Sequence, residues 1–219
     1  MIGGIGPAAT DFYYQSLIEK FASEDADLDM TIVHADASTL VKNLMDDNKD
    51  AQVSIYNGLT KRLKNAGAEC VAITSIAGHF CIDKFDAKSV LPIVDLLSCV
   101  RAEVENKGYN KIGILGTKPV MESKFYSVIK SAEIVLPEGD LLEDVHNAYV
   151  EMATSGHASE DQKLVFDAAC NQFITQNKVD AVMLGGTDLA LVYNTNNVDF
   201  ALVDCAAVHV EELFRLHSN

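Results

Sequence analysis

Short apolar runs alternate along the chain with longer stretches whose apolar residues recur every three or four positions. The runs at 30–35, 70–74, 91–94, 111–115, 133–136, 181–184 and 200–203 have the length and composition of buried strands. The periodic stretches at 11–22, 50–65, 96–106, 122–132, 143–153, 159–177 and 206–216 predict helices. In the second of these, Ile55, Leu59 and Leu63 form one stripe at four-residue spacing, and Gly108 follows the third as a stop signal. The most polar stretch, 45–52, reads as a solvated helix entry.

Strand–helix alternation of this kind predicts parallel sheets covered by helices on both faces. Residues 67–78 and 179–187 share one outline: polar entry, apolar strand, small-residue turn. That weak repeat predicts an α/β fold of two similar three-layer lobes with mostly parallel sheets. We expect the first lobe over 1–97 and the second over 98–205, with a C-terminal helix, 206–219, returning to the first.

Composition narrows the partners. With 219 residues and 48% hydrophobic content the chain has ample core. Its net charge of −15 opposes nucleic-acid backbones and anionic lipid. No apolar run reaches membrane-spanning length and no charged-then-apolar leader is read at the start. The five cysteines, Cys70, Cys81, Cys99, Cys170 and Cys205, are scattered without metal-like spacing and read as buried reduced thiols of a cytoplasmic protein.

Ligands of open parallel sheets sit outside the carboxyl ends of strands, where backbone N–H groups at following helix starts are free to bind anions. Four loops qualify. Gly3-Gly4-Ile5-Gly6-Pro7 precedes a helix carrying Thr10. Thr74-Ser75-Ile76-Ala77-Gly78-His79, Gly116-Thr117-Lys118-Pro119 and Gly185-Gly186-Thr187-Asp188 follow later strands. Taken alone, the first loop lacks both the dinucleotide fingerprint and the P-loop lysine. Ser75 and His79 lie one helical turn apart, a spacing that suits a one-sided base; a histidine bracing the loop competes with that reading. Asp188 reads as an acid or base, or as a carboxylate satisfying a helix start. Lys118 reads as a carboxylate partner or a solvated loop lysine. His34 and Asp36 follow a strand, and Cys81 and Cys205 read better as core.

Together these loops resemble the aspartate/glutamate racemase superfamily over nearly the whole chain. The resemblance rests on Gly3 to Thr10, on His79 in the second loop, on Gly113-Ile114-Leu115-Gly116-Thr117, and on Gly185 with Thr187 and Asp188. Asp204 and His209 match a further strand-end aspartate and helix histidine. It implies a site in a cleft between the lobes, no metal, pyridoxal phosphate or nucleotide cofactor, and commonly a homodimer. The implied ligand is a small amino acid or related carboxylic acid, held by Thr10, Ile76, Ala77, Thr117, Lys118, Gly186 and Thr187. Family enzymes move a proton across the substrate α-carbon with one cysteine at each of two strand ends. Here those positions read Ser75 and Gly186. A serine hydroxyl is a far weaker acid than a thiol and glycine has no side chain, so the symmetrical two-thiol reaction is not available. The catalytic set implied is then Ser75, His79 and Asp188. The alternative is a catalytically inactive small-molecule-binding pseudoenzyme on the same scaffold.

Overall fold

The computed structural model describes residues 1–122 and 125–217. The chain divides into two compact units, one of Met1–Leu96 with the segment from His209 onward, the other of Leu97–Val208. All strand pairing among the described residues is parallel.

In the first unit β1 (Ile2–Gly3) pairs with β2 (Val33–His34), and β3 (Val71–Ala72) pairs with β4 (Ile93–Val94). A parallel bridge from Ile2 to Ile73 joins the two ladders. The spatial order is therefore β2-β1-β3-β4. Helices α1 (Pro7–Ser23), α2 (Ala37–Met45), α3 (Lys49–Asn65) and the single turn α4 (Ile82–Asp86) lie between the strands in sequence. Ile2, Leu40, Val53, Tyr56, Leu63, Val71, Ile73 and Phe85 make one buried cluster.

The second unit repeats the order. Its four-stranded sheet runs β6-β5-β7-β8, with β5 at Lys111–Leu115, β6 at Glu133–Val135, β7 at Ala181–Leu184 and β8 at Leu202–Asp204. Helix α5 (Leu96–Lys107) leads in, and α6 (Lys118–Glu122), α7 (Leu141–Ser155) and α8 (Glu160–Gln172) connect the strands. All four residues of β7 are buried, the continuous apolar pattern of a strand covered on both faces. Gly113 in β5 is open to the ring of Phe173, which a Cβ at that position would overlap.

The last helix, α9 (Cys205–His217), carries the chain into the first unit. There Phe214 meets Phe21 of α1 edge-on at 5.0 Å, and Lys20 pairs with Glu211 at 3.1 Å. His209 is fully buried. Its Nε2–H donates to the Val94 carbonyl at 2.9 Å and its Nδ1 accepts from the Tyr13 hydroxyl at 2.8 Å. Those two bonds are satisfied by one neutral tautomer.

Several expected elements shift. The strand expected at 30–35 is only Val33–His34, because its neighbour β1 offers two residues to pair with. Helix α2 was not expected at all; the Asp36 side chain caps it by accepting from Thr39 N at 2.7 Å. The helix expected at 122–132 lies partly outside the described residues. What is described there begins earlier, as α6 with Pro119 in its first turn, and continues as a 3₁₀ turn, Phe125–Val128. The helix expected at 159–177 starts at a capping box of Ser159 with Gln162 but ends α-helically at Gln172, and Phe173–Asn177 is wound more widely.

Burial lowers the His209 pKa from 6.5 to about 4, so the folded protein refuses a proton that the unfolded chain accepts in that window. Stability is therefore full above pH about 6.5 and falls as pH drops toward about 4, by about 3 kcal/mol from this residue. His209→Gln is expected to be less stable at neutral pH yet to lose less between those limits, measured as unfolding free energy by denaturant titration at each pH.

Candidate functional site

In an open parallel sheet the crevice for a ligand opens where neighbouring strands send their chain to opposite sides. Each unit has one such point: between β1 and β3 in the first, between β5 and β7 in the second. The four loops singled out in the sequence leave these four strands.

In the first unit a ladder of hydroxyls ties the two loops together. The Thr10 hydroxyl accepts from Gly4 N at 2.9 Å, lies 3.0 Å from the Gly6 carbonyl, and sits 3.1 Å from the Thr74 hydroxyl. Thr10 thus braces the glycine turn. The crowding is tight: a Cβ on Gly3 would meet Thr10, and Gly4 combines a φ of 93° with the His34 ring packed against it. Glycine is required at Gly4 on both counts. Asp36, next to this ring, is an exposed cap of α2, held down to about 2 by bonds from Ser38 and Thr39.

The second loop runs into a 3₁₀ turn, Ala77–Cys81, rather than a long helix, so little helix dipole is available there. Ser75 is nearly buried, with its hydroxyl accepting weakly from Gly78 N at 3.4 Å. Ile76 is buried and only its backbone can address a ligand; Ala77 packs on the core cluster. His79 touches Ser75 through the main chain: Nδ1–H donates to the Ser75 carbonyl at 2.7 Å. Its Nε2 lies 3.6 Å from Asp95 Oδ1, outside hydrogen-bond range. Full burial lowers the His79 pKa, keeping the ring neutral. The ring braces the loop, and no bond joins it to the Ser75 hydroxyl.

In the second unit, Gly116 lies directly against Gly185, 3.5 Å from its carbonyl carbon to a Cβ placed on Gly116. That brings the third and fourth loops together. Thr117 caps α6 through its hydroxyl, which accepts from Val120 N at 3.4 Å. The Lys118 ammonium pairs with Glu143 at 2.8 Å, and its backbone N–H donates to His146 Nδ1 at 3.2 Å. Thr187 and Asp188 are buried at the start of a second 3₁₀ turn, Thr187–Leu191.

The helix expected at 143–153 forms as α7, Leu141–Ser155, but its part in the site was not read from the sequence. Glu143, His146 and Tyr149 stand at three-residue spacing, one face of the helix, and reach Lys118, the Lys118 amide and the fourth loop respectively. The Tyr149 hydroxyl donates to Asp188 Oδ2 at 2.7 Å. Burial, then the Asp188 charge, raises its pKa well above 10, so the phenol stays protonated. Tyr126 also reaches the site, donating to the Gly185 carbonyl at 3.0 Å.

Cys81, Cys170 and Cys205 are buried, and burial pushes each up to about 12. Among the described residues no His, Cys, Asp and Glu side chains gather to hold a metal ion, and no helix is long and apolar enough to cross a membrane.

Two units of parallel α/β structure, each with small-residue loops at its switch point, define a doubled fold. The family model for Asp/Glu/Hydantoin racemase matches residues 2–213, and the chain belongs to that family. Among solved structures it is similar to a candidate Asp/Glu racemase from Yersinia pestis, at 21% identity and a TM-score of 0.85, covering 100% of this chain and 97% of that one. An aspartate racemase homologue from Pyrococcus horikoshii gives 24%, 0.84, and the same coverage of 100% and 97%. Glutamate racemase from Francisella tularensis, solved with D-glutamate, gives 17% and 0.67, covering 99% and 78%. At these identities the likeness is one of fold.

The thiol environment is directly testable. In the native protein a disulfide reagent should titrate no more than Cys70 and Cys99 quickly, with all five thiols reacting after unfolding. Rapid native modification of Cys81, Cys170 or Cys205, located by peptide mapping, would contradict the burial described.

Proposed function

We propose that this chain is a cofactor-independent, amino-acid-binding isomerase of its family that exchanges the α-proton of a small amino acid or related carboxylic acid without a thiol pair. The observation that carries the reading is the build of the second unit's switch point. There Thr117 and Thr187 stand on adjoining loops, with a hydrogen-bonded acid–phenol pair, Asp188 and Tyr149, beside them. Hydroxyls and loop amides are donors to a carboxylate, and a buried carboxylate is an acceptor for a proton. The ligand-holding groups proposed are Thr117, Thr187 and the amide of Gly186 in the second unit, and Thr10 with the amides of Ile76 and Ala77 in the first. Lys118, tied to Glu143, sets the edge of its loop. Ser75 and Asp188 are the proposed catalytic groups, and His79 positions the Ser75 loop. The D-glutamate complex of the Francisella enzyme supports an amino acid as the ligand class.

The same reading makes the protein cytoplasmic and a homodimer, acting on free small molecules. Its net charge of −15 works against nucleic acid and anionic membranes as partners.

The test is α-proton exchange in D₂O with both enantiomers of aspartate and glutamate and a panel of other amino acids, followed as loss of the Hα signal by NMR. Exchange well above the protein-free rate, reduced at least tenfold in Asp188→Asn, is the expected result. Binding of an amino acid with no exchange at all would instead establish a silent binding protein.

A further inference from the structure

The glycine at the second expected cysteine position is not there for its backbone. Gly186 has φ −128° and ψ 132°, extended geometry open to any residue. It is there for space. A Cβ at Gly186 would overlap the hydroxyl and ring edge of Tyr149, with the phenol carbon Cζ 2.5 Å away. A cysteine side chain and this phenol exclude each other: the Tyr149 hydroxyl fills the place a thiol would take. The oxygen is held there by its 2.7 Å bond to Asp188, the second residue of the turn that begins directly after Gly186. Tyr149 and Asp188 are 7% and 6% exposed, so the pair is shielded but not sealed. For packing alone phenylalanine would serve at Tyr149; the hydroxyl adds a proton with a carboxylate to receive it.

We propose that Tyr149, coupled to Asp188, is the proton-transfer group of the fourth loop, standing where the second thiol is absent. This rests on the amino-acid-exchange reading above. In the step, the substrate Cα–H bond breaks and its proton goes to the Tyr149 oxygen, while the phenol's own proton passes to Asp188 Oδ2. The electron pair left on Cα spreads into the substrate carboxyl group. The reverse transfer returns a proton, or a deuteron after Asp188 equilibrates with D₂O. Tyr149 touches the reacting atom; Asp188 acts through it as the final acceptor. Because the phenol stays protonated, it passes a proton on without becoming a phenolate.

The experiment measures exchange of aspartate and glutamate Hα in D₂O as a function of pH for the full chain and four variants. Tyr149→Phe removes one oxygen. It should keep its melting temperature within a few degrees and its affinity for the amino acid within about threefold, but lose exchange at least a hundredfold. Asp188→Asn keeps the phenol and should remove the acidic limb of the pH–rate profile along with the rate; should Tyr149→Phe fail to fold, this variant carries the test. Gly186→Cys alone, which displaces the phenol, should fold poorly or lose exchange. Gly186→Cys with Tyr149→Ala should accept the thiol and give exchange that iodoacetamide abolishes. Exchange retained in Tyr149→Phe with an unchanged pH profile overturns the assignment while leaving the exchange reading intact. A wild-type chain that binds amino acids but exchanges none overturns both.

Discussion

The parallel pairing of the first strand of each unit with the third, β1 with β3 and β5 with β7, is the constraint on which the rest depends. Once the second strand of each unit is laid on the far side of the first, the chain must cross back before the third can pair. The two loops leaving the central pair then diverge and cannot fill the space between them. Side chains must bridge what the backbone leaves open. The first unit does so with hydroxyls, Thr10 against Thr74, and the second with the Tyr126 and Tyr149 phenols, from outside the sheet, at the point where the backbones of Gly116 and Gly185 meet. One topology thus yields two differently furnished crevices.

How much of this the sequence disclosed depended on burial. Strands β5 and β7 are read to the residue at 111–115 and 181–184, because long apolar runs covered on both faces leave no ambiguity of period. β1 and β2 pair over two residues and β2 is partly exposed, so apolar content there does not translate into strand length. Helix α2 buries only Leu40 and Asn43 and presents Val41 and Met45 to solvent, which breaks the apolar stripe that periodicity looks for. Its signal was Asp36 as a cap, three residues before Thr39.

The site was half legible for a related reason. Loops betray themselves by small residues after an apolar run, and all four proved to leave central strands. What acts on those loops from a distance leaves no local mark. Tyr149 is 37 positions before Gly186, and its relevance comes only from α7 lying over the fourth loop. The spacing of Glu143, His146 and Tyr149 was visible, but a polar stripe on a helix more often faces water than a neighbouring loop. His79 is the converse case. Its spacing from Ser75 suggested a reacting pair, and the fold spends that proximity on a main-chain bond, since a buried imidazole must place its N–H somewhere.

The two positions at which the resemblance led us to expect cysteines are therefore unlike in kind. Ser75 keeps a short polar side chain, whose hydroxyl accepts from Gly78 N at 3.4 Å and caps the loop. Gly186 has no side chain, and a phenol from α7 occupies the volume that one would take, so the glycine and Tyr149 form a single steric fact. A protein that had only discarded its chemistry would have no need to refill that volume with a group carrying a transferable proton, or to anchor it at 2.7 Å on a carboxylate with burial on both sides. Burying a phenol beside a charge is costly unless the two bond to each other, and here they do. The asymmetry follows: the first unit has a serine on a loop whose main chain a histidine braces, and the second a phenol bonded to a carboxylate.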